Sequence, residues 1–210
     1  MKQLTFLLLA IFFSVHVGGQ TKLTTEQQNQ VIAKLDNAAS AVKSMQCEFI
    51  QTKIMRMLNK EMQSSGMMYY KSPNKLRWQY TSPYDYIFIL NGDKVRIKSA
   101  RSNQNINVQD NKMFRQITNI ILNSITGKGL KNSSDFTVSM YKNNNTYFAK
   151  LYPKKKELKQ IYQVIEIYFN ANLTMVSSVK LEEKTGDVTW VRLYNPKTSV
   201  MLNESLFNTD

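Results

Sequence analysis

A chain of 210 residues with a formal net charge of +13 at pH 7 carries one histidine, His16, and one cysteine, Cys47. One cysteine excludes an intramolecular disulfide, and one imidazole leaves little material for a zinc site or a His-assisted nucleophile. The length suits a single domain.

Taken in chain order, Lys2 is followed by the apolar run LTFLLLAIFF and then SVHVGGQ, with small residues Val17 and Gly19 ahead of Gln20. This is the pattern of a secretory signal peptide, and the run falls short of the roughly 20 apolar residues that span a bilayer. The sequence thus predicts cleavage near residue 19 and an exported protein made of residues 20–210 as one domain. Cleavage removes His16, so no Ser-His or Cys-His pair and no His-containing metal site is left. No cysteine stands at the cleavage region, which argues against a lipid anchor. Export also speaks against nucleic acid as the reason for the basic charge. No zinc-finger, helix-turn-helix or RNP-like pattern accompanies it. Transient contact with an anionic membrane surface is the expected use of that charge.

Residues 24–43 carry Val31, Ile32, Leu35, Ala38, Ala39 and Val42 at helical spacing, with Thr24 or Thr25 to cap the start. From there the apolar period becomes two, the mark of strands with one dry face. Strands are expected at 46–57, 62–71, 74–81, 85–91 and 94–99, then at 135–141, 146–152, 161–169, 173–182 and 187–194. Turn signals such as Asn91-Gly92-Asp93 and Thr185-Gly186-Asp187 separate them. Between the two sets, residues 110–126 return to helical spacing and end at Gly127 and Gly129. This pattern predicts a mainly β fold with helices. A large antiparallel meander curls into part of a barrel, and two amphipathic helices are available to cover it. Any apolar surface they leave uncovered is a ligand site in waiting.

Catalytic motifs are weak. Ser40–Lys43 and Lys184-Thr185-Gly186 match fragments of the serine β-lactamase pattern, but Ser72–Lys75, Ser139–Lys142 and Ser177–Lys180 match the first equally well. Glu182, Glu183 and Asp187 read as a solvated hairpin tip. The run Lys154–Lys159 reads as a solvated loop or an anion contact. Cys47 reads as a small apolar residue in a strand. No metal or cofactor is expected, and the chain reads as a binder and not an enzyme.

The order of features matches a known pattern. An N-terminal helix leads to Phe49-Ile50-Gln51 and Gly66-x-x-Tyr69. Pro73-Asn74-x-Leu76-x-Trp78, Pro83 and Asn91-Gly92-Asp93-Lys94-Val95 follow. The chain resembles the periplasmic outer-membrane lipoprotein carrier family, LolA-like proteins, over nearly all of residues 20–210, although 100–160 match in pattern alone. The resemblance implies an unclosed antiparallel β-barrel with lid helices over an apolar cavity. It implies acylated lipoproteins as cargo, collected from an inner-membrane release transporter and handed to an outer-membrane acceptor by a monomeric carrier. On this reading the cavity is lined by Phe49, Met68, Leu76, Trp78, Tyr80, Tyr86, Phe88 and Leu90. The lid carries Met113, Ile117, Ile120 and Ile121. Family members place an arginine before the Pro-Asn pair to fasten the lid; here Ser72 stands there, which makes Lys71 or Arg77 the candidate latch. A carrier or sensor of another lipid-like amphiphile is the alternative that the same features allow.

Overall fold

The computed structural model describes residues 19–108, 119–120, 122–123, 129–131 and 133–209. Its first strands are β1 (Thr21–Lys22), β2 (Ser44–Met55), β3 (Lys60–Lys71), β4 (Lys75–Ser82), β5 (Tyr86–Asn91), β6 (Lys94–Ser99) and β7 (Ser102–Asn107). The second set is β8 (Phe136–Asn143), β9 (Thr146–Pro153), β10 (Tyr162–Phe169), β11 (Val176–Glu183) and β12 (Val188–Thr198). Together they form a 12-stranded sheet in the order β1-β8-β9-β10-β11-β12-β2-β3-β4-β5-β6-β7. Two antiparallel meanders, β2–β7 and β8–β12, are joined where β12 pairs with β2 from Val188↔Ile54 to Thr198↔Met45. The edges are β1 and β7, which do not pair with each other, so the sheet is a half-barrel that never closes.

Helix α1 (Thr25–Ala41) starts at a capping box: the Gln27 N–H donates to the Thr24 hydroxyl while the Gln27 side chain accepts from the Thr24 N–H. Its buried stripe is Ile32, Leu35 and Ala39, with spacings of three and four residues. Ile32 and Leu35 pack on Met140, Ala149, Leu151, Ile165 and Ile167, which covers the β8–β10 part of the inner face. The Met140 N–H donates to the Gln28 side chain at 3.0 Å, which ties the helix to β8.

Strand order also sets the end points of the segment after β7. β7 is one edge and β8 adjoins the other, so the connection links the two ends of the strand order. Residues 119, 120, 122 and 123 in it are helical. Ile120 packs with the α1-covered cluster and Leu122 with the cluster on β2–β6. The expected lid residues Met113, Ile117 and Ile121 lie outside the described residues.

The ten expected strands are all present, with ends shifted by a few residues. Two strands, β1 and β7, come in addition to them, and two further features differ from expectation. The segment Lys154–Lys159 is not a free loop, because a short helix α2 (Lys156–Ile161) buries Leu158. Lys155 pairs with Asp135 there, and Lys154 donates to the Ser133 carbonyl. The second is the chain end. Val200, Leu202, Leu206 and Phe207 fold back over the outer face and pack on Tyr69, Ile87 and Ile89.

Candidate functional site

The register across β2–β7 stacks inward-facing residues into rows. One row runs Met45, Tyr70, Leu76, Leu90, Val95 and Ile106; the next runs Cys47, Met68, Trp78, Phe88 and Ile97; the third runs Phe49, Gly66, Tyr80 and Tyr86. Cys47, Met68 and Phe49 on β2 and β3 are buried, but on β4–β6 burial falls from the first row to the third. Tyr70, Leu76, Leu90 and Val95 are at most 2% exposed, whereas Trp78, Phe88, Ile97, Tyr80 and Tyr86 are half-buried. The face therefore has a sealed floor at the Lys75–Asn91 end and opens toward the β4–β5 turn.

Aromatic rings hold this opening together. Phe49 lies 4.4 Å from Trp78 and 5.0 Å from Tyr80, edge-on to the latter. Tyr80 continues the chain of rings to Tyr84 at 5.9 Å and Tyr86 at 5.7 Å. One strand, β3, separates Phe49 on β2 from Tyr80 on β4, and the residue between them is Gly66. With no side chain there, the Phe49 ring can reach across. A Cβ at Gly66 would stand 1.8 Å from the Gln79 carbonyl oxygen, so β3 and β4 approach closely only because the residue is glycine. The Tyr80 hydroxyl donates to the Gln51 side chain at 2.9 Å. Burial above all, and then the neighbouring Tyr84, push the Tyr80 phenol up to about 12.

Charge is scarce on this surface. Lys53, at the open end of β2, pairs with Glu183 at 3.0 Å. Cys47 is 1% exposed, and burial followed by the Glu48 charge pushes its thiol up to about 12, so it acts as an apolar residue. Among the described residues no three His, Cys, Asp or Glu side chains gather as a metal site would require.

The structure brings the eight expected lining residues to one face. Phe49, Met68, Leu76, Trp78, Tyr80, Phe88 and Leu90 share one cluster, and Tyr86 joins it through Tyr80. They divide by burial: Phe49, Met68, Leu76 and Leu90 have almost no surface left and form the floor, while Trp78, Tyr80, Tyr86 and Phe88 keep part of their surface exposed. Ile97 and Ile106, missed in the sequence, complete the half-buried part; alternation in KVRIKS was the signal for Ile97.

The latch reading needs correction. Lys71 and Arg77 stand at positions opposite in parity to Leu76 and Trp78 and so face outward. Arg77 donates to the Gln79 side chain at 3.0 Å and to the Leu206 carbonyl at 3.3 Å. Lys71 pairs with Glu204, as does Lys75. These cations fasten the C-terminal segment to the outside of the sheet. Trp190 also faces outward, 6.5 Å from Tyr168 and beneath the Arg192 guanidinium at 3.9 Å.

Comparison with known proteins follows the same lines. Residues 40–210 match the family model described as outer membrane lipoprotein carrier protein LolA. An outer-membrane lipoprotein carrier protein of Legionella pneumophila (strain Corby) is 26% identical over 203 residues, covering 96% of this chain and 92% of that protein. One from Methylococcus capsulatus (strain ATCC 33009 / NCIMB 11132 / Bath) is 23% identical over 191 residues, covering 90% and 86%. Among solved structures, the Pseudomonas aeruginosa MucA/MucB complex shares the fold with a TM-score of 0.53 at 9% identity, covering 87% of this chain and 60% of that one.

Proposed function

Because this chain belongs to the outer membrane lipoprotein carrier family LolA, we propose that it carries lipoproteins through the periplasm with their acyl chains sheltered on the half-buried aromatic face of β4–β6. One observation carries the reading: Trp78, Tyr80, Tyr86, Phe88 and Ile97 form a continuous apolar surface whose floor is packed but whose mouth is not. An acyl chain costs about 0.8 kcal/mol per exposed CH₂, so a bare triacyl anchor in water stands on the order of tens of kcal/mol above its buried state. A carrier offers that surface on the half-buried stretch of its inner face. The protein works as a monomer. It accepts cargo from an inner-membrane release transporter, touches anionic membrane transiently, and delivers to an outer-membrane acceptor. As a carrier, it does no bond chemistry.

The test is capture of a triacylated lipopeptide by the purified chain, read by size-exclusion chromatography and by mass spectrometry of apolar-solvent extracts. A one-to-one complex is expected. Phe88→Glu, at a half-buried position, lowers capture about tenfold or more, because a carboxylate is placed among acyl chains without a partner. Extraction of a different lipid class, together with no uptake of the lipopeptide, contradicts the proposal.

A further inference from the structure

Most of the protein keeps its large apolar side chains inside, but the β2–β3 hairpin does not. Met57 is 86% exposed and Leu58 69%, with Ile54 at 39% and Met62 at 40% beside them. Met57 and Leu58 occupy the 3-10 turn Arg56–Leu58, which closes at Asn59 in the left-handed conformation (φ 47°). The tip is held rigidly, for β2 and β3 pair without a break from Ser44↔Lys71 to Met55↔Lys60. On one side it outruns its neighbour: β4 ends at Ser82 opposite Ser65, so Lys60–Ser64 run on past it by roughly 15 Å at strand spacing, while β12 on the other side accompanies β2 up to Val188↔Ile54.

Position and charge give this prong a meaning. The β4–β5 turn lies at the same end of the sheet, where the aromatic face opens and Tyr84 is 46% exposed. The exposed apolar pair is flanked by Arg56 and Lys60, with Glu61 beside them. On the adjoining β11–β12 turn, Glu183 is engaged by Lys53, and Asp187 accepts the Arg56 backbone N–H at 3.0 Å. Apolar residues at a tip with cations behind them are what the interface of an anionic bilayer receives, and the chain's charge of +13 draws it there.

We propose that the β2–β3 tip, led by Met57 and Leu58, is the element that enters an anionic phospholipid surface, setting the open end of the acyl-binding face against the membrane. This rests on the transient membrane contact proposed above and assigns its place. Insertion is shallow, two side chains deep, so it is reversible and suits a carrier that must leave again.

The experiment is co-sedimentation of the cargo-free protein, residues 20–210, with vesicles of phosphatidylglycerol and phosphatidylethanolamine, against phosphatidylcholine alone. The wild type binds the anionic vesicles, and Met57→Ser/Leu58→Ser weakens that binding about tenfold. The same variant keeps its melting temperature and its capture of the lipopeptide. Equal binding of variant and wild type overturns the assignment and leaves charge alone as the cause of the contact. No binding by the wild type removes the proposed membrane contact along with the tip's role, while leaving lipopeptide capture as a separate result. If vesicles are not bound but delivery to an acceptor protein is lost in the variant, the tip docks on protein and the membrane proposal fails.

Discussion

Gly66 is where a single hydrogen atom in place of a methyl decides the site. Gly66→Ala puts a Cβ within 1.8 Å of the Gln79 carbonyl oxygen, which is backbone and cannot swing away. We expect a loss of about 1–3 kcal/mol, as in an overpacked core, and a shift of the Phe49, Trp78 and Tyr80 rings. Chemical denaturation gives the first, and near-ultraviolet circular dichroism the second. Cys47 supplies a second check at this scale. With its thiol 1% exposed and its pKa raised from 9.0 to about 12, it should resist an aromatic disulfide reagent at pH 8 in the native protein and react at once in guanidinium chloride. A raised folded-state pKa adds stability that is complete below the unfolded value of 9.0 and declines as pH rises toward 12. Cys47→Ala should therefore flatten part of the alkaline loss of melting temperature, and Tyr80→Phe another part.

At the scale of elements, the C-terminal segment behaves as a strap. Phe207 is fully buried against the outside of β3–β5, so Phe207→Ala should destabilise the fold by about 3–5 kcal/mol. Lys71 and Lys75 hold the Glu204 carboxyl down from 4.5 to about 2 through hydrogen bonds and charge. A depressed carboxyl stabilises above its unfolded value and loses that contribution as pH falls from 4.5 toward 2. The group is exposed, so the acid limb is shallow; Glu204→Gln should remove it at low salt, and high salt should shrink it in the wild type. The strap was invisible in the sequence because VMLNESLF has neither period two nor a full helical period. β7 was missed for a related reason: SNQNIN is an edge strand with one apolar residue, Ile106, directed at the cluster. The central strands were legible because each has one dry face and one wet one, and alternation reports that directly. Alternation also contained the answer about Arg77, since a residue between Leu76 and Trp78 cannot share their face. The latch reading came from the family pattern and not from parity.

For the whole molecule, α1 covers one half of the inner face of an unclosed sheet, and the half-buried aromatic cluster, the proposed seat of the guest, lies on the other half. The floor of that half is not a safe place to probe: Leu76 has no exposed surface, and a charge there would unfold the chain. Trp78 is half-buried and reports without disturbing the fold. The protein has two tryptophans, and Trp190 sits on the outer face, so Trp190→Phe leaves Trp78 as the single indole. Titration of this variant with a lipopeptide whose acyl chains carry bromine is the most direct measurement. Trp78 emission should shift to the blue as water leaves the ring, and bromine should quench it strongly because quenching requires near contact. Tight binding of the brominated lipopeptide with Trp78 emission unchanged would place the acyl chains elsewhere and contradict the assignment of this face.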